Sequence, residues 1–349
     1  MKIYLLLAMF LIPLSGFAQS NTAISATAYV SSMTFDNSLL KDSAIQTGVY
    51  LYVGQGLNNV FEGAVDYYSQ SNLPVTVGGV EYAQDDLTQT DYSFAYNNYG
   101  INSVKIRVGA HYIDTSHDAT DGGYVLFTGA NYYVPLQWNF GVDVYQSVYP
   151  NFEVTTSATT ATTSGTTTSG TTGTSTTTTT TNPLPPPNTP PPAQQPGPAG
   201  QPRLLEPVLI QTTETVDFTV TQITPTLGLS FFDAYLYSET QLNYIMLGSD
   251  SGLDEDTWIS LKEALSWYTG SWTFSGFVWG GSQVYAVTGG FTVVNSPEEK
   301  TGGWGASVKF VPTDSSSVTL AMDQTSFKDL LDERMATATG ITLTGGYSF

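Results

Sequence analysis

The chain has 349 residues, with 30 acidic side chains against 10 basic ones, a net charge of −20 and no cysteine. That balance argues against nucleic acid as a partner, because phosphate binding needs clustered Lys and Arg; the absence of cysteine excludes disulfides, thiolate catalysis and cysteine-ligated metal. Only 11% of the residues are charged and 13% are aromatic, against about 25% charged in an ordinary soluble domain, a deficit that a wall with lipid on one face and water on the other would explain.

In chain order, Met1–Lys2 is a short basic start, Ile3 to Leu14 is apolar, and Ser15-Gly16-Phe17-Ala18 places small residues before a cleavage point. This reads as a secretory signal peptide over 1–18, cut after Ala18. An apolar run of about 12 residues is too short for ~30 Å of hydrocarbon, and no later run reaches ~18, so residues 19–349 are expected to hold no transmembrane helix. The mature chain is then periplasmic, secreted or a barrel.

Alternation of period two decides among these. Val104, Ile106, Val108, Ala110 and Tyr112 share one face, and Lys105, Arg107, Gly109 and His111 the other. The pattern appears at 45–53 and 138–144 as well, with shorter copies at 216–220, 304–310 and 318–322. Successive strand side chains point to opposite faces, and segments of about ten residues match a tilted strand crossing a bilayer. Tyr67, Tyr68, Tyr132, Tyr133, Tyr145, Tyr149, Trp258 and Trp272 crowd the segment ends, as interfacial girdles do. Glu263 interrupts the pattern on the apolar face of its strand; a bulge, or a helical turn across Ser260–Ser266, would resolve the conflict. Residues 151–213 form an insert, Thr/Ser/Gly repeats followed by Pro183–Pro202, expected to be an external loop with no core of its own.

The last segment runs Thr339 to Phe349, with Ile341, Leu343, Tyr347 and the terminal Phe349 on one face. It resembles the C-terminal signature of Gram-negative outer-membrane β-barrels, in which a final aromatic and alternating apolar positions are read by the assembly machinery. The resemblance implies an all-β, transmembrane, antiparallel up-and-down barrel with both termini periplasmic, short periplasmic turns and long external loops. Short turns at 54–59, 99–100, Pro135, 231–233, 268–271 and 312–315 yield fourteen strands, with 272–294 taken as one long strand. Twelve or sixteen remain open, since strand ends read from sequence shift by a few residues.

On that topology the inward positions include Glu62, Asp66, Lys105, Arg107, His111, Asp143, Asp217, Glu239, Lys309 and Asp323. They are expected to line a wet passage with a mild cation preference, since acids outnumber bases. The expected role is porin-like diffusion of small hydrophilic solutes. The alternatives are a transporter of apolar compounds, since the fatty-acid transporter family also has fourteen strands, or a structural or adhesive barrel working through its loops. An enzyme is not expected. Any Ser/His/Asp site must use one of the only two histidines, His111 and His117, and Asp114, Ser116 and Asp118 beside His117 lack the surroundings of the phospholipase barrels. No cofactor and no metal site is expected, because the acidic loops (Asp250, Asp254, Glu255, Asp256; Glu298, Glu299; Asp332, Glu333) lack EF-hand spacing. Expected partners are outer-membrane lipids, lipopolysaccharide bridged by divalent ions, the barrel-assembly machinery and small solutes, with a homo-oligomer left open.

Overall fold

The computed structural model describes residues 22–349 apart from 57, 78–79, 118–119, 161–207, 249–254, 289–291, 294–297 and 330–333. The signal peptide, most of the Thr/Pro insert, Asp118, Asp250, Asp254, Asp332 and Glu333 lie outside the described residues. In chain order the strands are β1 (Thr22–Asp36), β2 (Lys41–Gln55), β3 (Asn59–Asn72), β4 (Val75–Val77), β5 (Val80–Tyr82) and β6 (Leu87–Ile101). There follow β7 (Val104–Thr115), β8 (Tyr124–Val134), β9 (Trp138–Thr160), β10 (Val208–Phe231), β11 (Leu236–Leu247) and β12 (Thr257–Thr269). The last six are β13 (Trp272–Gln283), β14 (Val287–Thr288), β15 (Thr292–Val293), β16 (Lys300–Thr313), β17 (Ser316–Lys328) and β18 (Met335–Ser348). No helix occurs among the described residues.

Fourteen of these strands close into one antiparallel barrel, while β4–β5 and β14–β15 are small hairpins in external connections. Closure is made by β1 against β18, from Ser25 opposite Ser348 to Asp36 opposite Thr337, and the Phe349 amide donates to the Ile24 carbonyl at 2.8 Å. A closed barrel leaves no strand edge unpaired, which hydrocarbon requires. The parity read from the sequence holds: the turns after β2, β6, β8, β10, β12 and β16 are short, and the connections at the other end are longer apart from 37–40.

The outward face is a belt of exposed apolar side chains, among them Val30, Ile45, Phe94, Val108, Leu126, Phe140, Leu261, Val278, Leu320 and Leu343. Ile341, Leu343, Tyr347 and Phe349 all lie on this face. Aromatic pairs border it, with Tyr92–Tyr112 centroids at 6.4 Å and Tyr132–Trp138 at 5.5 Å. The girdle is only partly the one expected. Tyr67, Tyr132 and Trp272 face outward, but Tyr145, Tyr149 and Trp258 are buried inside the barrel. Tyr68 also lies inside, where it hydrogen-bonds Gln70 at 2.8 Å. Adjacent tyrosines such as Tyr67 and Tyr68 must point to opposite faces of a strand.

Glu263 needs neither a bulge nor a helical turn. The ladder from β11 to β12 runs unbroken through Thr240 opposite Glu263. The carboxylate faces outward at the middle of β12, where Ser238 Oγ and Thr240 Oγ1 donate to its two oxygens at 2.5 Å each. Two charge-assisted bonds offset part of the cost of a carboxylate in the apolar belt.

Two further findings differ from the sequence reading. β9 and β10 pair as far as Thr160 opposite Val208, so the insert's flanks rise as a ribbon above the rim. And β13 stops at Gln283 rather than continuing to 294: the register breaks between Gly280 and Gln283, Gly281 takes φ 108° and Tyr285 φ 49°, and the chain turns into the barrel.

Candidate functional site: the barrel lumen

Strand register turns nearly all the expected side chains inward. Glu62 on β3 and Arg107 on β7 lie 3.5 Å apart, and Asn97 Nδ2 donates to Glu62 Oε1 at 2.9 Å. The Arg107 guanidinium sits over the Phe127 ring at 4.9 Å, and Lys105 Nζ is 5.9 Å from the Tyr99 centroid. Asp143 on β9 stands opposite Gly129 on β8, which is itself opposite Arg107 on β7. These groups form a mixed-charge band on one side of the lumen.

A second group lies nearer the outside. Tyr29 Oη donates to the Asp66 carboxylate. Asp66 faces Asp91 across the β3–β6 ladder, and Gln89 Nε2 donates to both Asp91 oxygens at 2.9 Å. Ser93 Oγ and His111 Nδ1 share a hydrogen bond at 2.7 Å, and His111 Nε2 lies 3.5 Å from Asp91 Oδ1. A serine, a histidine and an aspartate therefore meet, but the Asp–His distance is too long for an orienting hydrogen bond, and all three are buried in the wall. Around His117 the neighbours serve the loop instead: Ser116 Oγ accepts from Thr88 N at 3.0 Å, and Thr120 Oγ1 approaches His117 Nδ1 at 3.4 Å.

On the far wall, Tyr237 Oη and Gln241 Nε2 donate to Glu239 at 3.0 and 2.7 Å, and Lys262 Nζ lies 4.8 Å over the Phe277 ring. Asp323 is inward beside Gly305 and Gly340. Lys309 is inward and exposed near the periplasmic end. Asp217 is the exception to the expected set. It falls at the register shift between Val216 and Phe218 and is exposed, while Phe218 takes the inward position.

The sequence reading missed Tyr29, Asp91, Ser93, Asn97, Gln222 and Lys262. Lys262 was legible, because an outward Glu263 forces its neighbour inward. Gln222 had no local signal, since its partner comes from β13's distant continuation.

That partner is the segment 284–287, which enters from the external end and crosses to β9 and β10. Val287 N donates to Gln222 Oε1 at 2.8 Å, and Gln222 Nε2 donates back to Val287 O at 2.9 Å. The Tyr285 ring packs at 5.0 Å from Phe218 and 5.3 Å from Tyr149, which themselves stack at 5.7 Å. Val220, Ile245, Leu247 and Trp258 complete a dry cluster at the external mouth. The chain after this segment is held by ion pairs, Glu298 with Lys41 and Glu299 with Lys328, while Ser38 Oγ and the Leu39 amide donate to Asp329 at 2.9 Å. Three external connections are thereby clasped together.

Searched for relatives, the chain matches no family model and no curated protein sequence. Its backbone does match solved structures. The monoaromatic hydrocarbon channel CymD aligns over 98% of this chain and 92% of its own, at TM-score 0.52 and 8% identity. The Ralstonia pickettii toluene transporter TbuX aligns over the same shares at TM-score 0.52 and 12% identity. The Pseudomonas putida toluene transporter TodX covers 95% and 89%, at TM-score 0.50 and 8% identity. The chain has the fold of the outer-membrane β-barrels. At these identities the likeness is one of architecture, and the chemistry of the passage has to be argued from its own lining.

Proposed function

We propose that this chain is a channel of the Gram-negative outer membrane that lets small hydrophilic solutes diffuse passively, with a mild preference for cations. The observation that carries the reading is the inward mixed-charge band, Glu62–Arg107 with Lys105 and Asp143, opposed by Glu239 and Lys262. Glu62, Asp143 and Glu239 balance Lys105, Arg107 and Lys262 there, and the further inward acids Asp66, Asp91 and Asp323 tip the path toward a negative potential. Export by the N-terminal signal peptide over 1–18, lipopolysaccharide contact through divalent ions and assembly through Ile341–Phe349 belong to the same reading, which leaves a homo-oligomer open. In it Ser93, His111 and Asp91 are wall hydrogen-bonding groups, not a hydrolytic site.

Single-channel conductance of the refolded mature protein in a planar bilayer tests it. Steady steps that scale with salt and reverse toward the cation potential support the reading; a folded barrel that stays silent at all voltages refutes it.

One observation favours a second reading, transport of apolar compounds: the dry aromatic cluster of Tyr149, Phe218 and Tyr285, on a fold shared with toluene transporters. Saturable uptake of toluene by liposomes carrying the barrel, with no ionic conductance, would select it.

A further inference from the structure

The inward face carries glycines directly between bulky side chains of the two flanking strands. Gly48 stands between Tyr29 and Asp66, Gly129 opposite Asp143, Gly228 opposite Asn139, and Gly305 between Phe277 and Asp323. At each, the neighbour lies down over the glycine instead of standing into the lumen. A methyl group on Gly48 would lie 2.0 Å from Asp66 Oδ1 and 2.5 Å from Tyr29 Cε1; on Gly129, 1.8 Å from Asp143 Oδ1. On Gly228 it would lie 1.8 Å from Asn139 Oδ1 and 2.2 Å from Tyr237 Oη, and on Gly305, 2.4 Å from Phe277 Cε1. These distances are below any real Cβ contact, so the overlying side chain fills the space that a Cβ would occupy.

Not every inward glycine behaves this way. At Gly109 and Gly303 a methyl group would also meet backbone carbonyls, of Phe94 at 2.4 Å and of Gln324 at 2.5 Å, so there the glycine serves strand approach. At Gly48, Gly129, Gly228 and Gly305 the contacts under 3 Å are all with side chains, which can rotate away only toward the lumen.

We propose that Gly48, Gly129, Gly228 and Gly305 set the aperture of the passage, each acting as a recess in which a neighbouring side chain lies flat against the wall. The inference rests on the reading of the barrel as an aqueous channel and deepens it. It explains how a fourteen-strand barrel, narrower than the open porins, lines its path with phenylalanine, tyrosine and carboxylates without filling it. The four recesses lie on β2, β8, β10 and β16, so they are spread around the circumference rather than gathered at one wall.

The test compares Gly305→Ala and Gly228→Ala with Gly345→Ala, an outward control where a methyl group meets nothing within 4 Å. All three should refold to the heat-modifiable barrel. The inward variants should lose on the order of 1.5- to 2-fold in single-channel conductance, given the narrow lumen of a fourteen-strand barrel, and the control should match the wild type. Adding Phe277→Ala to Gly305→Ala should restore conductance, because the ring that was driven inward is gone; a fault of folding alone would not be rescued this way. Crystal structures of the wild type and Gly305→Ala supply a readout independent of conduction, with Phe277 expected to swing off the wall. If Phe277 keeps its place and conductance is unchanged, the inference is overturned. If the wild type itself is silent, the channel reading falls, and the crystal structures alone decide whether the glycine is a recess.

Discussion

Gln222 supplies the paired hydrogen bonds that fix 284–287 in the lumen beside its aromatic packing, and Gln222→Met should loosen it. Methionine keeps the bulk but removes the acceptor and donor that hold Val287 N and O at 2.8 and 2.9 Å. Both backbone groups belong to a residue only 6% exposed, so little water replaces the lost partners. Two hydrogen bonds at about 0.5–1.5 kcal/mol each, in a site where unsatisfied groups cost more, put the loss near 2 kcal/mol, or about 30-fold in the open population. The lack of native cysteine makes the measurement direct. Ala286→Cys places a single thiol at a fully buried position, and its rate of reaction with a membrane-impermeant maleimide reports opening when reclosing is fast. The rate should rise about 30-fold in Gln222→Met, and conductance noise should rise with it. Equal labelling rates in the two backgrounds would refute the argument that Gln222 anchors the segment.

The clasp should weaken in acid. Partial burial raises the Glu299 carboxyl, but hydrogen bonds from Lys328 and Ser282 and the Lys328 charge outweigh it, so it titrates below ordinary glutamate. Its contribution is therefore full above the unfolded value of about 4.3 and disappears as pH falls through the lower folded value. Hydrogen-exchange protection of the Lys328 amide, bonded to the Glu299 carbonyl at 2.9 Å, should fall in that window, and Glu299→Gln should abolish the pH dependence. On the lipid face, Ser238→Ala with Thr240→Ala should destabilise the barrel by about 1–3 kcal/mol in urea titrations on vesicles, since a carboxylate loses both donors. Glu263→Leu in that background should restore the stability; no recovery would mean the hydroxyls act elsewhere. Phe349→Ala should lower the yield of assembled barrel in cells while leaving refolding of purified protein unchanged, as a signal read by assembly machinery requires; equal yields would assign Phe349 to barrel closure alone.

What was legible in the sequence follows from the period of a strand. Once Val104 to Tyr112 alternate, Lys105, Arg107 and His111 have only one face to share, and the structure places them together. Strand number followed from turn parity because the turns at one end are short, as at Gly270–Ser271, where Gly270 takes φ 55°. The failures arise where tertiary partners override local pattern. Val284-Tyr-Ala-Val-Thr288 is β-branched and aromatic, the composition of a wall strand. Only Tyr149, Phe218 and Gln222, more than sixty residues away in sequence, turn it inward. Asp217 was assigned to the wrong side because the apolar face of this part of β10, Phe218 and Val220, turns inward onto Tyr149 and Tyr285, which leaves the polar face outward. The use of Gly48 and Gly305 appears only when the flanking strands are in register, with Tyr29 and Asp66 on either side of the one and Phe277 and Asp323 on either side of the other.

The two halves of the lumen bear differently on the two functional readings. An apolar compound entering from outside would first meet the Tyr149–Phe218–Tyr285 cluster, but those rings are packed on one another at 5.0 to 5.7 Å, so a ligand must displace 284–287 to bind there. Beyond it lies the band of Glu62, Arg107, Lys105 and Asp143, where an apolar solute would separate charged groups from water without offering them partners. A hydrophilic solute meets the opposite balance: it exchanges hydrogen bonds with the band and gains nothing from the cluster. The cluster packs the segment against the wall, and on the proposed channel reading solute would pass it on the side that carries Tyr29, Asp66 and Asp323. On the proposed reading the aromatic mouth and the charged band belong to one aqueous channel, and opening the mouth should raise conductance without changing the class of solute admitted.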